Sequence, residues 1–206
     1  MKLPSLTIAA LAISILFASS LPVIARPVTT ADLSGKIICW DGGVIQNFEA
    51  DGKSADTRNY SDARWSVGPK GVRLDWSGGG ADIDIEIQPD GTVTVEYTDD
   101  GGTHKRTGKI CKREPLHYAD LEGKKLCYPG QDGQVETYFP GGKFINSVDG
   151  EGALNFNGDN GLVEWKFKKY DKVFKGKFGR LEDGTVLYTG SWAGTDYGLA
   201  DAVFCK

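Results

Sequence analysis

Two copies of one nine-residue stretch decide the fold of this chain: DLSGKIICW at residues 32–40 and DLEGKKLCY at residues 120–128. Both copies contain Asp-Leu, then Gly-Lys, then an apolar residue followed by a cysteine and a large aromatic residue. Each copy later closes on an apolar residue, a cysteine and a lysine, at residues 110–112 and 204–206. Because these matches keep their order and nearly keep their spacing, we interpret the chain as an internal duplication.

Alternation between polar and apolar residues predicts β-strands within each copy. Residues 82–87 read DIDIEI and residues 92–97 read TVTVEY, which is the period-two pattern of a strand with one solvated face. Asp-Gly pairs at residues 51–52 and 90–91 are typical of tight hairpin turns. We therefore predict an all-β fold of two tandem small antiparallel meanders. Each has about seven or eight strands and closes as a barrel or packs as a sandwich.

Four cysteines support the closure of each module. Cys39 and Cys111 lie in the first and last predicted strands of the first copy, and Cys127 and Cys205 occupy the same places in the second. Several pairings are possible, and the duplication favours Cys39–Cys111 and Cys127–Cys205, so that each module is closed by one disulfide. A zinc site is disfavoured because the sequence has no Cys-x-x-Cys pair and few histidines.

The duplication also sets the expected domain boundaries. Residues 1–25 have the features of a secretory signal peptide, namely a positive start, an apolar run and a small residue before the expected cleavage point. A membrane anchor is the alternative, for which the apolar run is short. Residues 26–112 form the first β module, residues 113–119 a linker, and residues 120–206 the second module. We expect the mature protein to be periplasmic or secreted, without membrane insertion.

The charge and the motifs of the chain disfavour several classes of function. The formal net charge is −4 at pH 7, and a surface of this sign repels nucleic-acid phosphates. The sequence has no G-x-S-x-G elbow and no P-loop, and its two histidines, His104 and His117, lie in a polar hairpin and in the linker. We therefore expect no nucleic-acid partner, no metal, no cofactor and no enzymatic activity.

Two charged stretches allow alternative interpretations. Asp82, Asp84 and Glu86 project from one face of a predicted strand, as a solvated surface or as a calcium or acid/base site. The basic strand Lys166–Lys177 carries lysines between aromatic residues, as a solvated strand face or as a patch for an anionic partner or membrane surface. Their opposite charges also permit attraction between the two modules.

The candidate ligand-binding residues come from the five tryptophans. Those that close LDW at residues 74–76 and VEW at residues 163–165 align in the two copies, which predicts a shared core role. Trp65 and Trp192 have no aromatic counterpart in the other copy, and Trp192 is flanked by small residues. We therefore predict Trp65 and Trp192 as the ligand-binding residues.

The chain resembles uncharacterised exported all-β proteins of Gram-negative bacteria in its D-L-x-G-K opening, its Asp-Gly turns and residues 65–76. The resemblance implies export and an all-β fold, and it carries no catalytic residue over. We expect an exported non-catalytic binding or interaction protein, whose partner is a protein, a peptide or a carbohydrate. The alternatives are an inhibitor of an exported protease and a carboxylate-dependent hydrolase acting through Asp82, Asp84 or Glu86.

Overall fold

The computed structural model describes residues 27–58, 62–99, 102–192 and 194–206. The predicted signal peptide, residues 1–25, lies outside these ranges. Within them, no helix combines the length and the apolar character that crossing a lipid bilayer requires.

The first module is a closed antiparallel barrel whose strands follow one another in chain order. Its strands are β1 (Lys36–Trp40), β2 (Ile45–Phe48), β3 (Lys53–Asp56), β4 (Ala63–Gly68), β5 (Gly71–Trp76), β6 (Gly79–Ile87), β7 (Thr92–Asp99) and β8 (Gly102–Cys111). Strand β8 returns to pair with β1, with Cys111 opposite Ile37. Closure removes the open sheet edges that an isolated meander would expose.

The second module repeats this barrel. Its strands are β10 (Lys125–Tyr128), β11 (Gln134–Phe139), β12 (Lys143–Asn146), β13 (Gly150–Phe156), β14 (Leu162–Phe167), β15 (Phe174–Leu181), β16 (Val186–Trp192) and β17 (Thr195–Phe204). Strand β17 pairs with β10 and β14 pairs with β15, which closes the ring. The far end of β15 also pairs with β9 (Arg113–Pro115). The prediction of two tandem antiparallel meanders, each a barrel or a sandwich, is confirmed, and both modules are barrels.

A short helical turn precedes each barrel at the repeated Asp-Leu. These turns are α1 (Thr30–Leu33) and α2 (Tyr118–Leu121), and the leucine that ends each one is fully buried. The backbone N–H before each turn donates to the aspartate within it, at 2.7 Å for Asp32 and 2.9 Å for Asp120. The segment predicted as a linker, residues 113–119, therefore contains β9 and the start of α2.

The strand registers show which residues are equivalent in the two barrels. Trp65 on β4 faces Leu74, and Leu154 on β13 faces Trp165. The Trp65 amide donates to the carbonyl of Gly52, and the Leu154 amide donates to the carbonyl of Gly142. Each glycine lies in the turn between the second and third strands of its barrel, so Trp65 and Leu154 are equivalent. Leu74 and Trp165 are therefore equivalent as well. The predicted alignment of Trp76 with Trp165 is wrong by two residues, because the hairpin between β13 and β14 is longer than the one between β4 and β5.

One disulfide closes each barrel. Cys39 pairs with Cys111 and Cys127 pairs with Cys205, with Cα–Cα distances of 5.9 Å and 5.3 Å. Both predicted pairings are confirmed. Such disulfides persist in oxidising compartments and are rare in a reducing cytosol.

A third apolar cluster joins the outer faces of the two barrels, separately from their cores. It contains Ile37, Ile45 and Ala55 of the first barrel and Leu181, Leu187, Tyr197 and Leu199 of the second. The backbone of Tyr197 pairs with Asp62: the amide of Asp62 donates to the Tyr197 carbonyl at 2.7 Å, and the Tyr197 amide donates to the Asp62 carboxylate at 2.5 Å. The Tyr197 hydroxyl also contacts Asn47 and donates to Glu49 at 3.1 Å. The barrels therefore pack as one unit.

Candidate functional site

Trp65, the first predicted ligand residue, lies in the core of the first barrel. Its side chain is only 6% exposed. Its Nε1–H donates to the carbonyl of Glu49 at 2.8 Å, and its ring meets Phe48 edge to face with the centroids 5.6 Å apart. An indole that is buried and hydrogen-bonded in this way has no free face for a ligand.

Trp192, the second predicted ligand residue, is half-buried and lines a cavity of about 180 Å³ inside the second barrel. The cavity extends from the buried side chain of Glu136 to the exposed side chain of Gln131. Its aromatic lining is Tyr128, Trp165, Phe167, Tyr188 and Trp192, and its polar lining is Gln131, Gln134, Glu136, Asn146 and Asp149. The structure thus places Trp192 beside a concave site whose other residues were not predicted.

A buried carboxylate, Glu136 on β11, lies at the inner end of this cavity. Its side chain is 1% exposed. It accepts hydrogen bonds from the hydroxyl of Tyr128 at 2.7 Å, from the hydroxyl of Tyr138, and from Nδ2 of Asn146 at 2.9 Å. Burial raises the pKa of Glu136, and these hydrogen bonds partly offset the effect. A carboxylate has about four lone-pair positions, so the group keeps acceptor capacity for a further donor.

Trp165 is a second tryptophan that lines this cavity. The residue is 6% exposed, and its Nε1 is buried without a hydrogen-bond partner in the described part of the chain. Its ring packs against Tyr188 with the centroids 4.4 Å apart. A buried donor without a partner costs roughly 1–3 kcal/mol of stability. A water molecule or a ligand with an acceptor oxygen would remove this cost.

The first barrel has a smaller cavity, of about 110 Å³, at the corresponding place. Gln46 occupies the position of Glu136, since Gln46 faces Ile38 on β1 and Glu136 faces Leu126 on β10. The Nε1–H of Trp40 donates to Oε1 of Gln46 at 3.1 Å. The tryptophan donor beside this neutral amide is therefore satisfied within the protein.

A cation lines the first cavity where the second has none. Arg106 faces Val95 across β7 and β8, and Ala200 faces Tyr188 across β16 and β17, so Arg106 and Ala200 are equivalent. The Arg106 guanidinium lies 5.9 Å from the centroid of the Tyr97 ring, and both residues line the cavity of the first barrel. The first barrel thus supplies its own cation beside an aromatic ring.

The acidic residues Asp82, Asp84 and Glu86 lie on the outer face of β6, where all three are exposed. Nη1 of Arg73 lies 3.5 Å from the Asp82 carboxylate, and Nε of Arg73 lies 2.8 Å from that of Asp75. A ladder of exposed acidic side chains, one of which is paired with arginine, is typical of a solvated strand surface.

The basic strand Lys166–Lys177 runs through β14 and β15 and the turn between them. Five of its lysines pair with carboxylates of the same barrel, including Lys169 with Asp149 at 3.1 Å and Lys175 with Glu164 at 2.7 Å. The contact between the barrels is formed instead by the third apolar cluster and the hydrogen bonds of Tyr197.

The histidines have structural surroundings. His104 stacks on Tyr97 with the ring centroids 5.1 Å apart, and His117 precedes α2. Over the ranges that the structure describes, no group of three or more His, Cys, Asp or Glu side chains is placed to hold a metal ion.

The sequence contains a signal for the buried polar position of each barrel. In both copies a polar residue, Gln46 or Glu136, stands two positions before an aromatic residue, Phe48 or Tyr138, on the same side of its strand. A polar side chain on the inward side of a strand, repeated in both halves of a duplication, indicates a functional or network position.

No known protein family matches this chain, and no curated protein sequence is significantly similar to it. The chemistry of the second cavity is therefore the basis for a functional interpretation.

Proposed function

We propose that this chain is an exported, non-catalytic binding protein that takes a small ligand in the cavity of the second barrel. The observation that carries this proposal is the buried, unpartnered Nε1 of Trp165, on a residue that lines the same cavity as Trp192. Eight-stranded barrels have interiors that either fill with side chains or hold one small ligand. The second barrel leaves open space beside a polar network, which is the arrangement that a ligand requires.

Export is supported by the two disulfides and by the signal-like composition of residues 1–25. We place the protein in the periplasm or outside the cell. The rigid unit formed by two closed, cross-linked and mutually packed barrels suits a binding site that changes little when a ligand enters.

A non-catalytic role is supported by the groups around Glu136. Its neighbours are the phenols of Tyr128 and Tyr138 and the amide of Asn146. These groups hold and orient a ligand through hydrogen bonds. They provide neither an imidazole base nor an activated nucleophile, which covalent catalysis needs.

The indole signals of the tryptophans provide a direct test. In ¹⁵N-labelled protein, the Trp165→Phe variant identifies the Nε1–H signal of Trp165. A library of small polar compounds at millimolar concentration should contain ligands that shift this signal. The physical reason is that a new acceptor changes the environment of a donor that has no partner in the protein.

Two further variants control this experiment. Ala200→Leu fills the cavity and should abolish the shift, whereas Trp76→Phe, in the first barrel, should leave it intact. The proposal fails if no compound perturbs the Trp165 signal. It also fails if ligands shift that signal equally in the Ala200→Leu variant, provided that its spectrum shows a folded protein.

A further inference from the structure

We infer that the ligand of the second cavity is a small organic cation that also carries a hydrogen-bond acceptor, as amino alcohols do. This inference rests on the proposed function and names the ligand class of that same site. Three features carry it: the aromatic wall with a buried carboxylate, the different residue at one equivalent position of the first barrel, and the unused indole donor.

The aromatic wall and the carboxylate form a site for positive charge. The rings of Trp165, Tyr188 and Trp192 line the cavity together with Glu136. Aromatic faces attract cations through their quadrupole, and cages of such rings recognise ammonium groups. Among the described residues that line this cavity, none is lysine or arginine. The one lysine that pairs with a lining carboxylate, Lys169, contacts Asp149 from a largely exposed position.

The first barrel shows what occupies such a site when the protein itself supplies the cation. Arg106 lines the first cavity and lies over the Tyr97 ring. At the equivalent position the second barrel has Ala200, which carries no charge and leaves the larger of the two cavities. The neutral Gln46 of the first barrel is matched by the carboxylate of Glu136 in the second. The second barrel thus has the anion and the rings but lacks the built-in cation.

The indole donor and the cavity volume restrict the cation further. Nε1–H of Trp165 requires an acceptor, which an ammonium group alone does not provide. A hydroxyl or carbonyl oxygen on the same ligand would accept this bond while the cationic end interacts with the rings and Glu136. The volume of about 180 Å³ is below the roughly 300–1,000 Å³ of sites for drug-sized molecules. The ligand therefore has few non-hydrogen atoms.

A matched set of probes separates charge from shape. Choline carries a cation and a hydroxyl, 3,3-dimethylbutan-1-ol is its neutral carbon analogue, and glucose represents a neutral carbohydrate. Titration followed by the Trp165 Nε1–H signal should give choline a dissociation constant at least about ten-fold lower than that of the neutral analogue, because the cation–π attraction is lost with the charge. Tetramethylammonium should bind without the large Trp165 shift, because it has no acceptor.

Variants test the residues that carry the inference. Glu136→Gln should weaken choline binding about ten-fold or more and leave binding of the neutral analogue within about two-fold. Ala200→Arg copies the first barrel and should abolish choline binding. Asp56 lines the cavity of the first barrel and faces Gln46, as Asn146 faces Glu136 in the second. Asp56→Asn is therefore the control and should leave choline binding unchanged.

The outcomes distinguish this inference from the proposed function. If the neutral analogue or glucose binds as tightly as choline, the site is a binding site but not a cation site, and the inference is overturned. If Glu136→Gln weakens both alcohols equally, the carboxylate acts only through structure, which also overturns it. If no compound of any charge shifts the Trp165 signal, the proposed function itself fails.

Discussion

The two barrels share one topology but fill their interiors with different side chains. Where the first barrel has Val95, the second has the far larger Tyr188, at the same register position. The second barrel compensates with Gly176, which stands where the first has Ile83. A Cβ on Gly176 would lie 2.3 Å from the Tyr188 ring, so only glycine leaves space for that ring. Interior volume has therefore been redistributed within an unchanged framework.

The polar groups at equivalent positions of the two interiors also differ. The first cavity contains its own charge in Arg106 and satisfies the donor of Trp40 with Gln46. The second keeps the carboxylate of Glu136 and an unused donor on Trp165. The tryptophan donor in the first interior is thus satisfied within the protein, whereas the second interior has a larger cavity and a donor without a partner. Three sets of substitutions and a pH titration test this difference between the barrels.

Loss of a disulfide should have the largest effect. The two crosslinks span similar separations, 72 and 78 residues, so the chain-entropy model gives each a stabilisation of about 4 kcal/mol. Cys39 and Cys111 also pack against the apolar cluster between the barrels. We therefore expect urea denaturation to show a larger loss for the Cys39→Ala/Cys111→Ala variant than for Cys127→Ala/Cys205→Ala. A larger loss for the second pair would contradict the role given to the interface.

Loosening the interface should have the next largest effect. Leu187 is fully buried between the barrels, and Leu187→Ala should lower the free energy of unfolding by about 3 kcal/mol. Denaturation followed by tryptophan fluorescence should then separate into two transitions, because the barrels lose their mutual support. Val203→Ala, at a position that is 42% exposed on β17, is the matched control and should change stability by less than about 0.5 kcal/mol. Equal effects of the two variants would mean that the barrels do not stabilise each other.

A change in pH should affect the two barrels differently. Burial raises the pKa of Glu136 above the ordinary value of 4.5. A raised pKa means that the folded protein binds this proton more tightly than the unfolded chain does. The resulting stabilisation is full below the unfolded-state pKa and is lost as pH rises through the folded-state pKa. Relative to the Glu136→Gln variant, the wild-type free energy of unfolding should fall by up to about 1.4 kcal/mol per pH unit in that window. Urea denaturation from pH 4.5 upward measures this difference.

The reciprocal variant gives the control for this pH effect. Gln46→Glu places a carboxylate at the equivalent position of the first barrel, where Arg106 lines the same cavity. Because a nearby cation favours the charged carboxylate, this variant should show a smaller fall in stability with rising pH than Glu136 causes. Wild-type and Glu136→Gln curves that run parallel at every pH would show that the buried carboxylate does not titrate differently in the folded protein.

The acidic outer face should give the smallest effect. Replacing Asp82, Asp84 and Glu86 together with Asn, Asn and Gln should change the free energy of unfolding by less than about 0.5 kcal/mol per residue, because these side chains are exposed. The same variant should bind choline as the wild type does. A loss of ligand binding would move the functional site from the interior of the second barrel to the outside of the first.

The local sequence pattern was sufficient to predict the strands and the disulfides, but it was insufficient to predict the ligand-binding site. Alternation at residues 82–87 and 92–97 predicted strands, and the repeated cysteines predicted both disulfides. Trp65 and Trp192 were equally plausible ligand residues in the sequence. The structure separates them, because Trp65 finds a carbonyl acceptor inside its barrel and Trp192 lies beside a cavity.

Sequence patterns were enough to predict the duplication, the meander of each copy and the disulfide between its first and last strands. These properties depend on neighbours along the chain, on period-two alternation and on repeated residues. Three features became visible only in the folded chain: Leu74 corresponds to Trp165, Tyr197 joins the barrels, and a cavity remains next to Glu136. The physical reason is that register, packing between outer faces and unfilled volume are set by residues far apart in sequence, whose distances no local pattern contains.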